Sequence, residues 1–196
     1  MILRVHNVRI ARLVTDVLAP GNILIGLLLV VGWRAAGGIG GLAWGVVAAL
    51  VCGALPLGVV LFGVRRRWWT DVHVSVREQR FVPFGVAIAA NLAGIGLLLA
   101  VGAPRELIAL VLSILAGLAV GAAITTRWKV SGHTAVAASA ATVLVVTFGP
   151  WAATTFLALP VVAWSRVALR DHTAAQAVAG LLLGAVISCA VFIPLR

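Results

Sequence analysis

Two short polar stretches carry groups that can grip an anion and move a proton. Ser131-Gly132-His133 runs into small helix-forming residues, and Ser165-Arg166 is followed after five residues by His172. A helix starting near Thr134 aims free backbone N–H groups and the positive end of its dipole at the first stretch, which attracts anions. Gly132 lets a ligand come close to the backbone, Ser131 adds a hydroxyl, and His133 exchanges a proton near neutral pH. Alone, this loop fits a helix cap or an interfacial turn equally well. His172 opens a second helix, and Gln176 shares its face one turn on. A third stretch, RRRWWTDVHVSVREQRFVP (65–83), adds Arg77 and Arg80, with His73 beside them. Arginine's rigid fork matches phosphate oxygens, so these groups gathered in one place would bind a phosphate.

What gathers them is set by composition. The 196 residues are 63% hydrophobic and 10% charged, with mean hydropathy +1.17. That balance excludes a soluble domain, and the uncharged runs reach the ~20 residues a membrane-spanning helix needs. The runs are continuous rather than alternating, which excludes a β-barrel. The expected fold is an all-α integral membrane protein, a bundle of six or seven transmembrane helices forming one domain over 1–196. Residues 1–16 read as an interfacial amphipathic segment. Spans are expected over 17–33 (marginal), 35–64, 84–103, 106–126, 134–148, 151–164 and 173–194. Cys52 and Cys189 lie in apolar runs and read as reduced packing residues. Glycines 37, 41 and 45 recur at four-residue spacing, a pattern for close helix contact.

Two spans separate the first polar break from the second, and two separate the second from the third. All three breaks therefore emerge on one membrane face. Fifteen Lys and Arg stand against five acids. In a soluble chain that excess would suggest nucleic acid; here it follows the positive-inside bias, and no nucleic-acid partner is expected. All the basic residues except Arg34, Arg105 and Arg196 fall in the N-terminal segment or the three breaks. This puts the motif face in the cytoplasm. Arg65, Arg66, Arg67, Trp68, Trp69, Trp128 and Lys129 read as headgroup anchors.

Across residues 65–180 the chain resembles the type 2 phosphatidic acid phosphatases, a family of integral membrane lipid phosphatases with the motifs Lys-x6-Arg-Pro, Pro-Ser-Gly-His and Ser-Arg-x5-His-x3-Asp. Here the third reads Ser165-Arg166-x5-His172-x3-Gln176 and the second Val130-Ser131-Gly132-His133. In the first, His73 stands at the lysine, Arg80 at the arginine and Phe81 at the proline. The resemblance implies His172 as nucleophile, forming a phosphohistidine, and His133 as the acid that protonates the leaving oxygen and the base that activates water. It implies Arg80, Arg166, Ser131 and the Gly132 N–H as holders of the phosphoryl oxygens. Arg77 is our addition, a stand-in for the lysine. Gln176 replaces the aspartate that orients the nucleophile, supplying an acceptor without charge.

The expected activity is hydrolysis of a phosphate or diphosphate monoester with an apolar tail, a polyprenyl ester in preference to phosphatidic acid. No cofactor or metal is implied, since the acids are scattered singly. The competing reading is a non-catalytic binder or transporter of an anionic lipid. The partners expected are the membrane and the lipid phosphate.

Overall fold

The computed structural model describes residues 2–196 except Ser75, with side chains from Asn7 onward apart from those of Ser75 and Arg77. Among the described residues all regular structure is helical. The order is α1 (Ile2–Val17), α2 (Pro20–Ala36), α3 (Gly38–Ala48), α4 (Leu55–Arg65), α5 (Phe81–Ala100), α6 (Arg105–Thr125), α7 (Gly132–Phe148), α8 (Ala158–Ala168) and α9 (Ala174–Ile187).

Five helical runs are long and apolar enough to cross a membrane: Gly38–Arg65, Glu78–Ala100, Arg105–Thr125, Pro150–Ala168 and Ala174–Leu195. Asn7–Val17 with Pro20–Ala36 passes as a sixth, broken by a 40° bend, and α7 is a shorter apolar helix. Large apolar side chains such as Leu99, Leu182 and Val186 point outward, as a hydrocarbon solvent permits.

Sequence chemistry sets the ends. Pro20 begins α2, where its missing N–H costs nothing. Gly37 and Gly38, at φ 70° and 57°, turn the chain from α2 into α3. Gly149 at φ 94° ends α7, and Pro150 opens a 3-10 segment to Leu157 that feeds α8. Pro56 is preceded by a π-helical turn, Ala49–Ala54, and the run from Gly38 to Arg65 changes its winding there rather than breaking.

Close contact comes from missing side chains. A Cβ on Gly41 or Gly45 would strike the backbone of Gly32, Trp33, Leu28 or Leu29 across the α2–α3 hairpin. Two of the three glycines in the spaced series thus serve packing, and Gly37 serves the turn. A second glycine face has greater consequence. Cβ atoms on Gly180 and Gly184 would collide with Thr134, Ser131 and Ala135, so α9 lies directly against the start of α7. Ser139 and Ser188 close the lower part of this contact with a 2.7 Å hydroxyl hydrogen bond. The glycine face thereby brings the segment before α9, which carries His172, to the segment carrying His133.

Three details depart from the sequence reading. Trp69 is buried over Gly63 rather than set out among headgroups, whereas Trp68 is exposed and edge-on to Phe62. Cys52 is a buried free thiol as expected, while Cys189 is exposed. The N-terminal segment is helical, but it packs along α8 with Ala11 and Thr15 fully covered. Small residues on that face allow α1 to join the bundle.

Candidate functional site

The three breaks meet. Arg80, at the end of a 3-10 turn (Arg77–Arg80), donates from Nε to Val74 O at 2.9 Å and from Nη1 to Val130 O at 3.2 Å, tying the first break to the second. Lys129 Nζ donates to Asp171 O at 2.7 Å, and Ser131 N donates to Gln176 O at 3.3 Å, tying the second to the third. The carbonyls of Val74, Val130 and Asp171 lie in loops outside the helices, and that of Gln176 lies in the first turn of α9.

On the second break, Ser131 is the N-cap of α7, its hydroxyl accepting from Thr134 N. Gly132 is exposed, with no heavy atom near the place a Cβ would take. His133 is buried at the first turn. Its ring lies 5.0 Å, centroid to centroid, from that of His73, and His73 Nε2 lies 3.1 Å from Asp16 Oδ1. The side chain of Arg77 lies outside the described residues.

On the third break, α8 stops at Ala168 and the chain turns through Arg170 at φ 59°. Asp171 N and His172 N both donate to Arg166 O. This turn folds Asp171 back, so that its Oδ2 accepts from Arg166 Nη2 at 2.6 Å. Because α8 ends before Asp171, the carboxylate is free to clamp the arginine. Arg166 Nη1 donates to Thr15 Oγ1 at 3.0 Å, and Thr15 Oγ1 donates to Ser165 Oγ at 3.2 Å.

Thr15, Asp16, Asp171 and Lys129 are the site residues that sequence reasoning missed. Thr15 lies about 150 positions from its partners and belongs to no motif, so no spacing signals it. Asp16 carried a faint signal as one of only five acids in the chain.

Gln176 takes part in a capping box: Thr173 Oγ1 accepts from Gln176 N, and Gln176 Oε1 accepts from Thr173 N at 3.1 Å. The amide lies near enough to His172 to favour its protonated form slightly. It nonetheless makes no well-formed hydrogen bond to Nδ1, which is buried without a partner.

Burial drives His172 down to about 3, reinforced by the positive charges of Lys129, Arg80 and Arg166. Burial likewise lowers Lys129, with Arg80 acting in the same sense. His172 is therefore neutral at physiological pH, the state in which an imidazole nitrogen is nucleophilic. An unperturbed histidine gains its proton as pH falls through about 6.5. Histidine-selective NMR, with the His172 signal assigned by its loss in His172→Ala, should instead find that imidazole still neutral at about pH 5. Lys129→Met should move that titration upward, because removing a neighbouring positive charge favours the imidazolium. A His172 that titrates near 6.5 would contradict this environment.

Three buried atoms of the cluster have no partner among the described residues: Arg166 Nε, His133 Nε2 and His172 Nδ1. His133 and His172 also lie within electrostatic reach of each other, of Arg80 and of Arg166. Buried polar groups are ordinarily paired, and orphans concentrated in one place mark groups held for a ligand or a reaction. No protein-family profile, curated protein or solved structure matches the chain. Among the described residues no group of His, Cys, Asp and Glu is arranged to hold a metal ion.

Proposed function

We propose that this protein is a membrane lipid phosphatase of the type 2 phosphatidic acid phosphatase kind. It acts without a metal on a phosphate or diphosphate monoester with an apolar tail, a polyprenyl ester in preference to phosphatidic acid. The observation that carries the reading is the convergence of His172, His133, Arg166 and Arg80 from three distant breaks, with three of their buried nitrogens unpartnered.

The phosphoryl group binds between Arg80, Arg166 and the N-terminus of α7, where Gly132 leaves room and its N–H faces the anion. Arg166 is already held by Thr15 and Asp171, so its fork is fixed before the substrate arrives. Neutral His172 attacks phosphorus; the N–P bond forms as the ester P–O bond breaks, and His133, which takes up a proton when the bound phosphate's negative charge offsets the neighbouring arginines, gives that proton to the leaving oxygen. Water then attacks the phosphohistidine while His133 takes the water's proton, and phosphate leaves. The sum is ester plus water giving alcohol plus phosphate. This chemistry asks mainly for positioning and charge stabilisation, which the cluster offers.

The test is phosphate release in detergent from prenyl diphosphates, phosphatidic acid and phosphatidylglycerophosphate. Release from a prenyl ester is the expected result. No release from any of them, with binding retained, would establish the anionic-lipid binder or transporter instead. That reading draws on Val130, Phe81 and Gln176 at family positions and on Asp171, which competes with a phosphate for Arg166.

We propose that the motif face lies in the cytoplasm, a reading that the excess of basic residues on it supports. Arg34, Arg105 and Arg196 lie on the opposite face, where Arg105 Nε and Arg196 Nη1 donate to Leu195 O and Val146 O. A single cysteine placed at Arg66 should resist an impermeant thiol reagent added to intact cells, while one at Arg105 should react. Labelling at position 66 from outside would overturn this orientation.

A further inference from the structure

We infer that the groove bounded by α7, α8 and the α1–α2 turn holds the part of the substrate's apolar tail nearest the phosphate; this rests on the phosphatase reading. The groove has a volume of about 170 Å³ and is walled by Leu18, Ile23, Ala137, Ala141, Leu159 and Val162, among others.

Its position relative to the polar cluster is fixed by helical register. Ala137 follows His133 by one turn of α7, and Ala141 by two. Val162 precedes Arg166 by one turn of α8, and its carbonyl accepts from Ser165 Oγ. Leu18 follows Thr15 by three residues at the end of α1. The same three elements that build the cluster thus line the groove beneath it. At 1.5 Å per residue, the groove begins about 6 Å below the histidine.

Its chemistry changes at that depth from cationic to apolar. The hydroxyl of Thr155, which also lines it, is already bonded to Ala152 O. Ala137, Ala140 and Ala141 leave the room that larger side chains on α7 would fill. A phosphate ester seated in the cluster presents hydrocarbon at this level. A wider hollow near Ala123 and Arg127 shares no residue with the cluster.

The experiment uses the full chain in lipid nanodiscs and hexadecyl phosphate carrying a diazirine in the first third of its chain. Photolabel should map to α7 and α8, on residues such as Leu144 and Leu159, and excess hexadecyl phosphate should displace it. Labelling spread over the outward faces of all helices would mean ordinary bilayer contact and overturn the inference. Ala158→Phe, at the exposed rim of the groove, should lower the ratio of hexadecyl to butyl phosphate turnover by roughly ten-fold or more. A ratio within about two-fold of wild type would also overturn it. Should the wild type release no phosphate from either ester, the phosphatase reading fails, and the labelling pattern still decides where the tail lies.

Discussion

His172→Ala should abolish turnover, lowering phosphate release by on the order of 10³-fold or more, because no other group takes over a covalent step. With radiolabelled substrate and an acid quench avoided, the wild type should yield an acid-labile phosphoenzyme that the variant lacks. His133→Ala tests the partner role. It should slow phosphoenzyme formation strongly for a lipid alkoxide leaving group and much less for a nitrophenolate, which departs without a proton. With that substrate the phosphoenzyme should accumulate, since the base for the water step is missing. A phosphoenzyme that survives His172→Ala would remove His172 as the nucleophile. One that appears in neither protein would redirect attention to the binding-only reading.

Arg166→Lys should cost about 10² to 10³ in kcat/KM, the loss associated with removing one preorganised donor at developing negative charge. The reason lies in the fork. Nη1 reaches Thr15, Nη2 reaches Asp171 and Nε remains for a ligand, three directions from one planar group. An ammonium holds one of them at a time and loses the fixed orientation. The lysine keeps the charge, so the bundle should remain intact, and unchanged detergent monodispersity together with an unshifted His172 resonance would separate this effect from unfolding. A variant within about five-fold of wild type would mean that the guanidinium holds α1 and the Asp171 turn together without touching the phosphoryl group.

Much of the architecture was legible in the sequence because hydrocarbon runs and their punctuation are physically coarse. Gly149 and Pro150 fall between the spans expected over 134–148 and 151–164, and in the structure they end α7 and open the segment that feeds α8. The alternation of breaks and spans predicted that the three polar stretches share a face, and hydrogen bonds join them there. What escaped was decided by local geometry or by distance. Asp171 could be placed only by knowing that α8 stops at Ala168 and that Arg170 adopts a left-handed turn. Gln176 stands at the spacing of an orienting residue, yet its amide oxygen meets Thr173 N–H, a partner three residues away and always present. Thr15 sits in a segment whose amphipathic pattern speaks of a surface, and nothing in sixteen residues reports contact with a helix near the other end of the chain.

That contact has a consequence for biosynthesis. Thr15 leaves the ribosome 150 residues ahead of its partner Ser165 and 151 ahead of Arg166. The glycine face of α9 that aligns His172 emerges later still. Helices inserted one after another therefore carry fragments of the cluster with no means of completing it, and a chain stalled anywhere before α9 has no assembled site. Long-range closure of this kind is slow to form. For a protein that would cleave phosphates from the membrane in which it is being built, competence arrives only with the finished fold.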